Sequence, residues 1–218
     1  GFTTENKRKN KLYVNNGDAT FTEQAADYGI ADSGFSTQAA FLDYDKDGDL
    51  DLYLLTHAKE NTDQVEKLYT LKDGTGPSTD KLYRNEGIGP NGHPVFKNVS
   101  ASAGILTEGY GLGVAVADIN KDGWPDIYVA NDFLASDLLY INNQDGTFSD
   151  QLSSYFSHTA RNSMGIEMAD FTNNGLLDIF VLDMLPESNE RQKTMTANMN
   201  PQPFKETIKK GFQPQFIR

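Results

Sequence analysis

Five aspartates crowd into the nine residues from Asp43 to Asp51, in the order D-Y-D-K-D-G-D-L-D. Like charges this close repel unless a cation sits among them. The same frame recurs without gaps at Asp118, as D-I-N-K-D-G-W-P-D, and at Asp170, as D-F-T-N-N-G-L-L-D. Each copy offers oxygen-bearing side chains at positions one, three, five and nine, with glycine at position six. Calcium takes six to eight hard oxygens at ~2.3–2.6 Å in a flexible shell that admits backbone carbonyls and water. A tightly curled loop turns alternate residues inward, and glycine permits the sharp turn. The expected shells are Asp43, Asp45, Asp47 and Asp51 with the carbonyl of Asp49; Asp118, Asn120, Asp122 and Asp126 with the carbonyl of Trp124; and Asp170, Thr172, Asn174 and Asp178 with the carbonyl of Leu176. Ligand carboxylates fall from four to three to two in chain order, and calcium affinity is expected to fall with them.

Two other readings compete. An EF-hand loop begins alike, but it needs flanking helices and a bidentate Glu at position twelve. That position is Leu54, Val129 and Val181 here. Asp, Asn and Gly also populate ordinary β-turns. Three copies in register weigh against that reading, although it keeps force for the third loop, where Thr172 and Asn174 replace two carboxylates.

The elements that must carry these loops show in the flanking residues. Each loop runs into a stretch such as Leu50–Leu55 or Asp126–Val129, of period two and rich in β-branched and aromatic residues, which predicts strands. A second motif travels with the first: KLYVNNGDATF from Lys11, KLYRNEGIGPNGHPVF from Lys81 and LLYINNQDGTF from Leu138. Its Asn, Gly and Asp residues are those of tight hairpins that need positive φ. Repeats are thus expected around 11–57, 81–132 and 138–184, with a polar, turn-rich insertion at 58–80 read as a surface excursion. Residues 185–218 read as an inter-blade connection with a brief helical pattern around Pro203 to Lys210. The fold class is all-β: about three propeller blades of four antiparallel strands, forming part of a larger propeller.

Composition narrows the function. The 218 residues hold 31 acidic and 19 basic side chains, a formal charge of −12, which argues against nucleic acid or an anionic membrane surface as partner. Without cysteine there is no disulfide, thiolate metal site or thiol nucleophile. No stretch approaches the ~20 apolar residues of a spanning helix, and GFTTENKRKN lacks the apolar core of a signal peptide, so an export signal is expected outside this chain. His57, His93 and His158 lie in separate segments without ligand spacing. Gly109, Gly111 and Gly113 miss the dinucleotide-binding spacing and suggest close strand packing near a propeller axis. Tyr13, Tyr83 and Tyr140 hold equal places in the repeat, which marks them as blade core.

The stretches FLDYDKDGDLDLYL, VADINKDGWPDIYVAND and LYINNQDGTF resemble the FG-GAP or VCBS repeats of integrin-like propellers, in particular those of bacterial exported proteins, over about residues 10 to 184. The resemblance implies four-stranded blades, a calcium ion in the hairpin loop of each, and a ring of about seven blades. It also implies an extracellular or cell-surface setting, as a secreted protein or an outer-membrane lipoprotein of a Gram-negative bacterium. The favoured role is a non-catalytic calcium-binding module with a protein or glycan ligand, completed by the remaining blades of its parent or by a partner chain. The alternative is part of a calcium-dependent polysaccharide-degrading enzyme, which needs Arg, Lys or His converging near a metal; only His158 and Arg161 are close in sequence.

Overall fold

The molecule, a computed structural model, is described for residues 8–57, 70–132, 135–184, 209 and 215–216. Almost all of its regular structure is β. A hairpin of β1 (Tyr13–Asn15) and β2 (Phe21–Glu23) comes first. Two four-stranded antiparallel meanders follow, in the simple order β3 (Ser36–Leu42), β4 (Asp51–Thr56), β5 (Lys81–Ile88), β6 (Pro94–Asn98) and then β7 (Gly111–Ala117), β8 (Asp126–Asn131), β9 (Leu138–Asn142), β10 (Phe148–Asp150). One helical turn, α1 (Leu152–Tyr155), leads through β11 (Thr159–Ala160) to the antiparallel pair β12 (Ser163–Ala169) and β13 (Asp178–Asp183). Gln215–Phe216 forms β14, parallel to β11.

The second strand of each meander explains how the sheets stack. In β4, Leu52 and Leu54 point to one face and Tyr53 and Leu55 to the other, and all six residues of the strand are buried. All six of β8 are buried as well. An antiparallel sheet with one wet face would show apolar residues on one side only; apolar residues on both sides require a neighbour on each. Three core layers result. The first joins Leu52, Leu54 and Tyr83 to Leu12, Ala25 and Ile30 before the first meander. The second, between the meanders, holds Tyr53, Leu55, Leu82, Ile127, Val129 and Tyr140. The third sets Tyr128, Leu139 and Leu152 against Ile166, Met168, Ile179 and Val181. Each fully buried side chain of this size contributes about 1.5–3 kcal/mol.

The first strands of successive sheets lie side by side: β3 packs on β7, and β7 on β12. The side-chain amide of Gln38 brackets Val114, accepting from its N–H at 2.9 Å and donating to its carbonyl at 3.3 Å. Such close approach explains the glycines of β7. A Cβ on Gly113 would stand 3.0 Å from Gly165 Cα, and one on Gly111 would overlap the Leu55 side chain.

The sheets are phased with the Asp loop first and the hairpin second. The sequence units at 11–57, 81–132 and 138–184 start half a sheet earlier, because a tandem repeat carries no intrinsic beginning. Tyr83 and Tyr140 are buried at 5% and 1% exposure, as expected of blade core. Tyr13 is a correction: it is 64% exposed. Its face of the sheet is the one that Tyr83 and Tyr140 turn to the preceding element, and no strand among the described residues covers it. Of the insertion, 58–69 lie outside the described residues, while its end, Ser78, Thr79 and Asp80, is buried and not a surface excursion. Of the 185–218 connection, only Lys209, which is helical, and β14 are described.

Candidate metal centre

All three Asp loops adopt one hydrogen-bonded frame. The carboxylate at position one accepts from the glycine N–H at position six: Asp43 from Gly48 at 3.2 Å, Asp118 from Gly123 at 2.9 Å, Asp170 from Gly175 at 2.7 Å. Position five accepts from the N–H of position seven: Asp47 from Asp49, Asp122 from Trp124, Asn174 from Leu176. Position nine reaches back to the N–H of position two: Asp51 to Tyr44, Asp126 to Ile119, Asp178 to Phe171. The glycines have φ of 95°, 87° and 78°. Position four is left-handed too, at Lys46, Lys121 and Asn173, with φ of 58°, 61° and 54°. Lysine is strained in that region, whereas asparagine tolerates it.

The first loop differs from the others in charge. One carboxylate oxygen each from Asp43, Asp45 and Asp51 lies within 4.8 Å of the other two. Asp51 is fully buried. Asp43 Oδ1, Asp45 Oδ1 and Asp49 Oδ1 are buried atoms without a hydrogen-bond partner. Burial, then neighbouring carboxylates, raises Asp45 and Asp49 above the usual carboxylate range. Burial pushes Asp51 up to about 7 against the N–H donors of Asn85 and Tyr44. Such oxygens are costly to leave bare and suit a hard divalent cation. The donor set of the first loop therefore fits calcium. Asp49, expected to offer its carbonyl, also has a buried carboxylate oxygen without a partner, although the cluster of Asp43, Asp45 and Asp51 does not include it, while Asp47 is exposed.

In the second loop backbone donors already compensate the acids. Asp118 accepts from Asp122 N–H at 3.0 Å as well as from Gly123, and the side-chain amide of Asn120 donates to Asp122 at 2.9 Å. The Trp124 N–H, foremost, holds Asp122 below the usual range; burial raises Asp126. In the third loop Asp170 and Asp178 are half-buried and the ligand positions between them are exposed. The N–H groups of Asn174 and Gly175 lower Asp170. Thr172 directs its N–H and hydroxyl to Asp178, at 3.3 and 3.4 Å. The side chain of Leu176 is exposed.

The second sequence motif proves to be the wall of the first. The Asn85 N–H donates to Asp51 Oδ1 at 2.8 Å, and the Asn142 N–H donates to Asp126 Oδ1 at 2.9 Å. In both four-stranded sheets the asparagine of the L-Y-x-N stretch thus orients the ninth-position carboxylate of its own sheet, and this explains why the motifs recur together. Sequence reasoning missed these two residues, although their fixed distance after the Tyr was visible. It also missed Asp80 and Asp137, each two residues before the Leu of the L-Y-x-N stretch. Asp80 accepts from the Tyr53 hydroxyl and Thr56 N–H, and Asp137 accepts from the Tyr128 hydroxyl and Asn131 N–H. The histidines lie in separate contacts: His93 stacks on Tyr28, His57 meets the edge of Tyr110, and His158 Nδ1 sits 3.1 Å from the Ser157 hydroxyl.

Among known proteins, the model of the FG-GAP-like repeat matches this chain three times, over residues 2–54, 68–129 and 118–181. Together the matches cover well over half of the 218 residues. No curated protein matches the chain.

Proposed function

Because the chain belongs to the FG-GAP-like repeat family, we propose that it is a calcium-stabilised segment of a larger β-propeller, which serves as a non-catalytic ligand-binding or scaffold module of an exported protein. The observation that carries this reading is the first loop: three buried, unpartnered carboxylate oxygens from Asp43, Asp45 and Asp49 beside the buried Asp51. Calcium there would be held by Asp43, Asp45 and Asp51, with Asp49 and Asp47 at the rim. It would supply positive charge that turns mutual repulsion into a crosslink between the turn and the start of β4. The second loop, with its frame already closed by backbone donors, would bind more weakly, and the third more weakly still.

Extracellular calcium is plentiful, and the net charge of −12 suits such a setting. The strands that follow the first two loops, β4 and β8, are buried on both faces, so stiffening either loop stiffens the stack that presents the surface. The remaining blades of the parent propeller would be the natural neighbours of the exposed faces around Tyr13 and around Phe180 and Leu182; a protein or glycan is the expected ligand class of the whole.

Calorimetric titration of the chelator-treated chain with calcium, paired with metal analysis of the untreated protein, tests the reading. At least one site is expected, and it should disappear in Asp45→Asn. A wild-type chain that takes up no calcium at extracellular concentrations would refute it.

A further inference from the structure

We infer that the first and second loops bind cations cooperatively, coupled through Asn142 and Lys46. The inference rests on the calcium reading of the same loops. Two contacts join them directly. The side-chain amide of Asn142, itself 2% exposed, donates to the Tyr44 carbonyl in the first loop at 2.8 Å, while its backbone N–H holds Asp126 of the second. One residue therefore grips position two of one loop and position nine of the next. Lys46, at position four of the first loop, places Nζ 4.6 Å from the centre of the Trp124 ring, at position seven of the second. The pattern continues, since Lys121 at position four of the second loop donates to the Gly175 carbonyl in the third.

The sign follows from the charges. Without a cation, the five aspartates of the first loop repel one another and favour a looser turn. Loosening moves the Tyr44 carbonyl and the left-handed backbone at Lys46, and so withdraws support from Asp126 and Trp124. A cation in the first loop removes that repulsion and fixes both contacts, so the second loop is ordered before its own cation arrives. Less ordering entropy is then lost on the second binding event. Coupling is reciprocal, so filling the second loop tightens the first by the same factor.

Trp124 is the single tryptophan of the chain, so terbium emission excited through tryptophan reports the second loop. The experiment titrates terbium(III) into the full 218-residue chain at about 0.15 M salt, where exposed charges more than ~8 Å apart are largely screened. Asp43→Asn keeps an acceptor for the Gly48 N–H but weakens the first loop. The second-loop midpoint is expected to rise by about five-fold or more, the lower end of ordinary couplings. Lys46→Met, which leaves every ligand in place, is expected to raise the midpoint as well. A direct charge effect runs the other way, since removing an ammonium near Asp122 favours a cation, so the sign separates the two. A wild-type midpoint in Asp43→Asn, or a lower one in Lys46→Met, overturns the coupling and leaves the calcium reading intact. Absent emission in the wild type, together with no stabilisation by calcium, removes both.

Discussion

The Tyr53 hydroxyl donates to Asp80 Oδ2 at 2.8 Å, and the Tyr128 hydroxyl donates to Asp137 Oδ2 at the same distance. In both sheets the aspartate is buried and its other oxygen accepts from the backbone at the end of the preceding strand, at Thr56 and at Asn131. The pair staples the far end of the second strand to the start of the third, at the opposite end of the strand from the Asp loop.

Burial pushes Asp80 up to about 7 and Asp137 up to about 6, against an unfolded value near 3.9. A raised folded pKa means that the protonated form fits the fold better. The stabilisation from these groups is complete below the unfolded value and is lost as pH rises through about 6 to 7. In chelator, the melting temperature should therefore rise as pH falls from 8 toward 5. Asp80→Asn can accept from Thr56 N–H and donate to the Tyr53 oxygen without a buried charge. It should flatten that dependence and gain about 1–4 kcal/mol at pH 8, since each tenfold change in proton affinity between the folded and unfolded chain is worth about 1.4 kcal/mol. Thermal melts across pH would settle this, and an unchanged slope in Asp80→Asn would show that other groups cause it.

Calcium at one hundred times its dissociation constant adds about 2.7 kcal/mol to the folded state, which for a chain of this size is about 5–10 °C in melting temperature. The increment should largely vanish in Asp45→Asn, shrink in Asp122→Ala and persist in Asn174→Ala. All three variants should melt close to wild type in chelator. Scanning calorimetry with and without calcium gives the comparison, and a loss confined to Asn174→Ala would reverse the ranking of the loops.

Gly111→Ala should destabilise by about 1–3 kcal/mol, the range for overpacking a filled interior. Its Cβ would enter the Leu55 side chain on the adjoining sheet. Urea unfolding measures the cost. A neutral result would mean that the two sheets stand further apart in solution.

Tyr140→Ala should cost about 3–5 kcal/mol, as for other large aromatic truncations in a core, whereas Tyr13→Ala in the same chain should fall within about 0.5 kcal/mol of wild type. The two residues share one repeat position but differ in exposure, 1% against 64%. Equal losses would place Tyr13 in a contact that the described residues do not include.

Local order was legible in the sequence. The nine-residue loops, their glycines and the strands behind them follow from short-range rules: a curled turn needs glycine at position six, and period-two apolar runs make strands. The L-Y-x-N stretch was legible as a recurring hairpin, but its purpose was not, because the bond from Asn85 to Asp51 spans 34 residues. Spacing also marked Asp43, Asp45 and Asp51 without saying that a carboxylate oxygen of Asp49 would be buried and unpartnered as well.

What tertiary structure decided is which face of each strand meets which neighbour. Leu52 and Tyr53 both read as apolar, and only stacking assigns the first to one core layer and the second to the next. Tyr13 and Tyr140 are equivalent in the repeat and opposite in burial, since burial depends on whether another sheet lies against that face. Asp80 looked like the end of a polar insertion because a lone acid is ordinarily a surface residue. Its tyrosine partner stands 27 residues away, and no local pattern of the sequence brings such a pair together.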